Sequence, residues 1–122
     1  MTGLKWFWKQ ISILVVFPII YPEPSGTPLD VLALTKSSTS ILVKWNPPSE
    51  LDRNGVITHY IVTYNESLGS ETNITTSDNR TQKLVSSLRK YSPYYFTVQA
   101  VNNIGVGPPS DAVSNTTAED SK

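Results

Sequence analysis

From Gly26 onward, apolar residues recur at every second position in short runs, and no stretch keeps them at helical spacing for the length of an ordinary helix. A run of this kind has one apolar face, and several together bury those faces only by stacking two antiparallel sheets. The first two runs are LDVLALT (Leu29 to Thr35) and SILVKW (Ser40 to Trp45), the second with Ile41, Val43 and Trp45 on one side. The next segment, NPPSELDRNG (Asn46 to Gly55), is a loop, because Pro47 and Pro48 have no N–H to donate and Asn54-Gly55 favours positive φ. VITHYIVTY (Val56 to Tyr64) resumes the alternation, with Tyr60, Val62 and Tyr64 on one face and His59, Ile61 and Thr63 on the other. The polar middle, Asn65 to Asn79, has room for one weak edge strand. TQKLVSSL (Thr81 to Leu88), YYFTVQAV (Tyr94 to Val101) and SDAVSNTT (Ser110 to Thr117) complete the set, and Tyr94, Phe96, Val98 and Ala100 share a face.

Residues 1–23 have a different character. Lys5 and Lys9 flank Trp6, Phe7 and Trp8, and ISILVVFPII follows from Ile11 to Ile20 without a charge. The apolar stretch is shorter than the about 20 residues of a spanning helix and contains Pro18. A basic start with a short apolar middle suits a secretory signal, although YPEPSG lacks the small alternating residues of a cleavage site. A leading strand or a linker from an upstream domain fits the same residues. A secretory signal, a leading strand, a linker and a scar of an incorrectly bounded chain therefore stay open for the leader, and the domain proper is expected over 24–119, with a polar tail at 120–122.

Trp45 followed by NPP, the run NGVITHYIVTY, Leu88 six residues before Tyr94, and FTVQAVNNIGVGPPS together resemble the fibronectin type III domain, with Pro28 at its start. The pattern is most like modules of animal cell-adhesion molecules and receptor tyrosine phosphatase ectodomains. The resemblance implies a seven-stranded, immunoglobulin-like antiparallel β-sandwich, all-β, preceded by the apolar leader. It also implies a corner in which the Tyr94 hydroxyl bonds to backbone a few residues upstream. The expected structural core is Trp45, Tyr60, Val62, Leu88, Tyr94, Phe96 and Val98. With no Cys in the chain, aromatic side chains take the place of an inter-sheet disulfide.

Little in the sequence suggests catalysis. The one histidine, His59, has the parity of an outer sheet face, and no Ser sits in a nucleophile turn. Gly105 and Gly107 precede two prolines rather than a helix, so no phosphate cradle follows. Asp52, Asp78 and Asp111 lack the spacing of a calcium loop. The expectation is no enzyme, no catalytic residue, no cofactor, no metal and no small-molecule substrate. Ten basic residues balance ten acidic ones, which removes the field that nucleic acid or an anionic bilayer would need. Membrane association would run through the leader or through a segment beyond this chain.

Four glycosylation acceptors occur, at Asn65, Asn73, Asn79 and Asn115. Eight Asn and the Ser and Thr content would produce about two such sequons by composition alone, so the excess is modest. Three lie in the polar middle, whereas Asn115 shares parity with Val113 and would point inward if Val113 does. With the leader, the sequons favour an extracellular or cell-surface site, while an intracellular scaffold-type module is the rival. The loop NNIGVGPP carries neither Arg nor acid, so an integrin motif is absent from it. Ile104 and Val106 are the apolar residues it offers for contact. The expected function is a non-catalytic binding or adhesion module whose partners are proteins or neighbouring domains, with a structural spacer or an accessory domain of an enzyme as alternatives.

Overall fold

A computed structural model of the chain describes residues 22–67 and 69–120. The expected leader, apart from Pro22 and Glu23, lies outside the described residues, as do Leu68 and the last two residues of the tail. Seven strands follow in order: β1 Leu29–Ser37, β2 Ser40–Asn46, β3 His59–Glu66, β4 Thr72–Thr75, β5 Gln82–Val85, β6 Pro93–Val101 and β7 Val113–Thr116. They form a three-stranded sheet, β1-β2-β5, and a four-stranded sheet, β4-β3-β6-β7, with every pair antiparallel. This is an all-β sandwich of two antiparallel sheets.

The alternation seen in the sequence is the alternation of burial. Ile41, Val43 and Trp45 of β2 face Tyr60 and Val62 of β3 and Tyr94, Phe96, Val98 and Ala100 of β6 across a continuous core. Ile57, Val85 and Leu88 complete it from loops and β5, and Tyr64, Ile74 and Val113 pack at its margin. Trp45 meets Tyr60 edge-on with ring centroids 5.2 Å apart, the geometry that aromatic quadrupoles favour. Its Nε1–H has no acceptor with hydrogen-bond geometry, although the Tyr60 hydroxyl is near enough to feel it.

Burial raises the Tyr60 pKa above the ordinary phenol value, with the charge of Arg53 and the indole N–H of Trp45 working the other way. The folded domain thus holds this proton more tightly than the unfolded chain does. The associated stability is complete below the ordinary phenol value and is lost as pH rises through the raised one. The melting temperature should therefore fall as pH rises past the ordinary phenol value of about 10, and Tyr60→Phe should flatten that fall. A titration of melting temperature against pH for both proteins checks it, and parallel curves would remove Tyr60 as the cause.

Strand ends differ from the simple alternation for identifiable reasons. β3 enters the ladder only at His59, because Val56 to Thr58 arrive from the loop. Thr58 N–H already donates to the Val101 carbonyl at 2.8 Å. Where ladders run out, hydroxyls stand in for missing backbone partners. Buried Thr76 Oγ accepts from Tyr60 N–H at 3.0 Å and donates to the Asp78 carbonyl, and buried Ser110 Oγ accepts from Val98 N–H at 3.0 Å. Buried Thr117 does the same for Ser92 N–H at 2.9 Å and donates to Arg89 O at 2.6 Å. Each is polar, buried and satisfied.

The β1 and β7 edges lie side by side, and side chains join them. Thr35 Oγ donates to Thr116 O at 2.6 Å, and Asn115 Nδ2 donates to Ala33 O at 2.8 Å. This differs from the parity expectation for Asn115. Val113 does pack against the core, but at Asn115 the strand has reached the open seam of the sandwich, where its amide is exposed and turns to the neighbouring edge.

Candidate functional site

At the end of the sandwich where β2 and β6 finish, three segments meet: residues 22–28, the β2–β3 connection and the β6–β7 connection. The β2–β3 connection folds because Pro47 and Pro48 stop β2, a 3-10 turn forms over Glu50–Asp52, and Asn54 and Gly55 take positive φ of 52° and 126°. Arg53 Nε donates to Pro48 O at 2.8 Å and fastens the turn onto itself. Ser25 N–H donates to Asp52 O at 2.8 Å and Asn54 Nδ2 to Glu23 O at 3.0 Å, which ties the leading segment to that loop.

The β6–β7 connection is fastened just as closely. Val101 bridges to Val106, Asn102 N–H donates to Gly105 O at 3.1 Å, and Gly107 N–H donates to Ala100 O at 2.8 Å. Gly107 is required where it stands, because a Cβ there would lie 2.8 Å from the Pro24 carbonyl oxygen. At the centre of the three segments sits buried Asn102. Its Nδ2 donates to Pro22 O at 3.0 Å and to Arg53 O and Asn54 O, each at 3.1 Å. Its Oδ1 accepts from Ile104 N–H at 2.9 Å and Gly105 N–H at 3.1 Å. One amide therefore fixes two loops and the leading segment.

Apolar side chains project from this fixed backbone. Leu51 is 92% exposed and Ile104 59%, and Val56 and Val106 are also exposed. The sequence offered Ile104 and Val106 as contacts. In the sequence Leu51 and Val56 read as ordinary members of a loop or strand, and Asn102 as a turn residue.

The opposite end carries the tyrosine corner. Arg89 N–H donates to the Tyr94 Oη at 2.9 Å, five residues upstream, while the ring is buried beside Tyr64. The hydroxyl also lies 3.5 Å from the Glu66 carboxylate. Tyr94→Phe leaves Arg89 N–H without its partner and should cost about 1–2 kcal/mol. Chemical denaturation measures this directly, and an unchanged midpoint would remove the corner's stabilising role.

Of the remaining candidates, Asn79 lines a surface recess with Arg53, Gly55 and Val56 of the β2–β3 loop, and Asn65 and Asn73 share the outer face of the four-stranded sheet. His59 Nδ1 lies 2.9 Å from Thr58 Oγ on β3. Among the described residues no group of three or more His, Cys, Asp and Glu is placed to hold a metal ion. Asp78 is held at about 2 by hydrogen bonds from the Arg80 side chain and backbone. Asn73 and Asn79 are exposed, on β4 and in the β4–β5 crossover. Asn65 is half-buried and its Nδ2 donates to Glu66 O at 3.2 Å.

A family model for the fibronectin type III domain matches residues 26–116. Neogenin of Rattus norvegicus is 37% identical over 112 residues, covering 87% of this chain and 8% of that protein. Receptor-type tyrosine-protein phosphatase F of Danio rerio is 40% identical over 96 residues, covering 77% of this chain and 5% of its own length. Cell adhesion molecule DSCAM of Gallus gallus is 39% identical over 104 residues, 80% of this chain and 5% of that protein. The chain thus spans under a tenth of each of these relatives. The solution structure of the third fibronectin III domain of human KIAA0343 protein superposes with a TM-score of 0.78 at 22% identity, over 88% of this chain and 93% of that domain. Strand order, tyrosine corner and the match over 26–116 agree, and the chain belongs to the fibronectin type III domain family.

Proposed function

We propose that this chain is a non-catalytic protein-binding module of a cell-surface or secreted protein, and that it presents the β2–β3 and β6–β7 loops to a protein partner or to a neighbouring domain. The observation that carries the reading is the set of exposed side chains Leu51, Val56, Ile104 and Val106 on loops that Asn102 holds in place. Apolar groups on a fixed backbone bind without a large ordering cost. Kinship with neogenin, a receptor-type phosphatase and a cell adhesion molecule supports the surface location, as do the sequons. Asn73 and Asn79 are the best placed for glycans, since both are exposed.

The test is expression of the chain in secreting animal cells, with intact mass measured before and after N-glycosidase, followed by application of the tetramerised product to live cells. Secreted, glycan-bearing protein that stains cells, and loses staining on Leu51→Ser with Ile104→Ser at unchanged melting temperature, supports the reading. Staining that survives those changes overturns the loop assignment. Sugar-free protein retained inside the cell overturns the surface location and leaves the intracellular scaffold. The short span of the relatives covered favours one second reading, a spacer between domains, which absence of staining would support.

A further inference from the structure

The two outer faces of the sandwich differ in kind. On the four-stranded sheet the outward positions Thr63, Thr97 and Gln99, with the acceptor residues Asn65 and Asn73, surround Ile61 and Tyr95. On the three-stranded sheet the register sets Leu34 opposite Leu42 and Leu42 opposite Leu84, with Leu32 beside Lys44 one step along. A leucine band therefore crosses all three strands. Leu32 is 54% exposed, Leu34 38% and Leu84 50%, and none of them serves the core, since the alternate positions Ile41, Val43 and Val85 fill it.

The charges around this band have one predominant sign. Lys36 and Lys44 stand on the face by the same alternation, whereas Lys83, opposite core-facing Val43, belongs to the other side of β5. The ion pairs among the described residues engage Arg80, Arg89 and Lys90, not Lys36 or Lys44. Asp30 stands at the upper end of the face, where the carboxylate accepts from Asn46 Nδ2 at 3.0 Å, and Arg80, which lines a recess with Leu42 and Leu84, is paired with Asp78. None of the four sequons lies on β1, β2 or β5.

We infer that the outer face of β1-β2-β5 is a docking surface for a protein segment whose aliphatic or aromatic side chains are bracketed by Asp or Glu. The leucines supply apolar area and the lysines select the sign of what surrounds it. A second copy docked face to face would bring these lysines against their equivalents. The inference rests on the proposed role as a protein-binding module, but it uses a surface separate from the loops.

Amide spectra of the isotopically labelled chain, titrated with two synthetic peptides, test it. Both peptides share an alternating Leu and Thr centre, one flanked by Glu and the other by Lys. The Glu-flanked peptide should move signals of β1, β2 and β5 and bind about tenfold more tightly than the Lys-flanked one. Leu34→Ser with Leu84→Ser, both outward positions, should abolish the shifts while the unbound spectrum keeps its folded dispersion, and Lys44→Glu should reduce the preference for Glu flanks. Equal binding of the two peptides, no shifts with either, or concentration-dependent broadening of the chain alone would overturn the inference. Shifts confined to Leu51 and Ile104 would overturn it while leaving the loop reading intact. Shifts on β1-β2-β5 with no loop-dependent cell staining would do the reverse.

Discussion

Trp45→Ala is expected to lower the unfolding free energy by about 3–5 kcal/mol, the largest loss of any single side chain considered. The indole is 3% exposed and sits in the inner face of β2 between Val43 and the end of the strand. Its removal leaves a cavity that Tyr60, Ile57 and the facing β6 residues cannot close without leaving their rotamers, because all belong to strands or loops fixed by backbone bonds. The edge contact with Tyr60 is lost as well, worth about 1 kcal/mol beyond the area. Folded domains have only about 5–15 kcal/mol in hand, so the variant should be partly unfolded or close to it at body temperature. Trp45→Phe provides the control. Since Nε1–H has no acceptor, that change removes volume without orphaning a polar group, and it should cost well under half as much. Urea denaturation followed by far-ultraviolet dichroism compares all three proteins. Equal midpoints for wild type and Trp45→Ala would mean that the core does not depend on this ring.

Much of the fold is legible in residues that alternate. Ile41, Val43 and Trp45, or Tyr94, Phe96, Val98 and Ala100, announce an inner face because a strand has a period of two, and each set is buried. Leu88 and Tyr94 likewise form the corner through local spacing. What the sequence does not show is whatever depends on segments meeting from far apart. Asp30 takes a φ of 52° at a bulge, and Ser87 and Tyr91 also have positive φ, yet none is Gly and nothing local marks them. Thr76, Ser110 and Thr117 read as ordinary strand-end residues, but each replaces a backbone partner on a strand that is remote in sequence or just ended. The leucine band is a third kind of case. Leu32, Leu34, Leu42 and Leu84 look like core residues, and only the register of β1, β2 and β5 places them together on the outside.

Asn102 is the strongest case of a residue whose importance lies in distant partners, and its replacement should have the second-largest effect. Asn102→Ala removes the donor that serves the Pro22, Arg53 and Asn54 carbonyls and the acceptor that serves the Ile104 and Gly105 amides. Water reaches some of these groups once the side chain is gone, so the expected cost is about 2–4 kcal/mol rather than the sum of five bonds. The loss should be local in character, with faster amide exchange in the β2–β3 and β6–β7 loops while the β3–β6 ladder stays protected. Asn102→Asp sharpens the point. At neutral pH it sets a carboxylate against three carbonyl oxygens, which is worse than leaving a void, so this variant should be less stable than Asn102→Ala. That environment raises the carboxyl pKa in the folded state, and stability should return as pH falls and a proton restores one donor. Exchange rates and denaturation midpoints at pH 7 and about pH 4 check both statements. If the aspartate variant matched the wild type at pH 7, the side-chain amide would not be what joins the two loops, and the backbone bonds Asn102 N–H to Gly105 O and Gly107 N–H to Ala100 O would have to hold the β6–β7 loop without it.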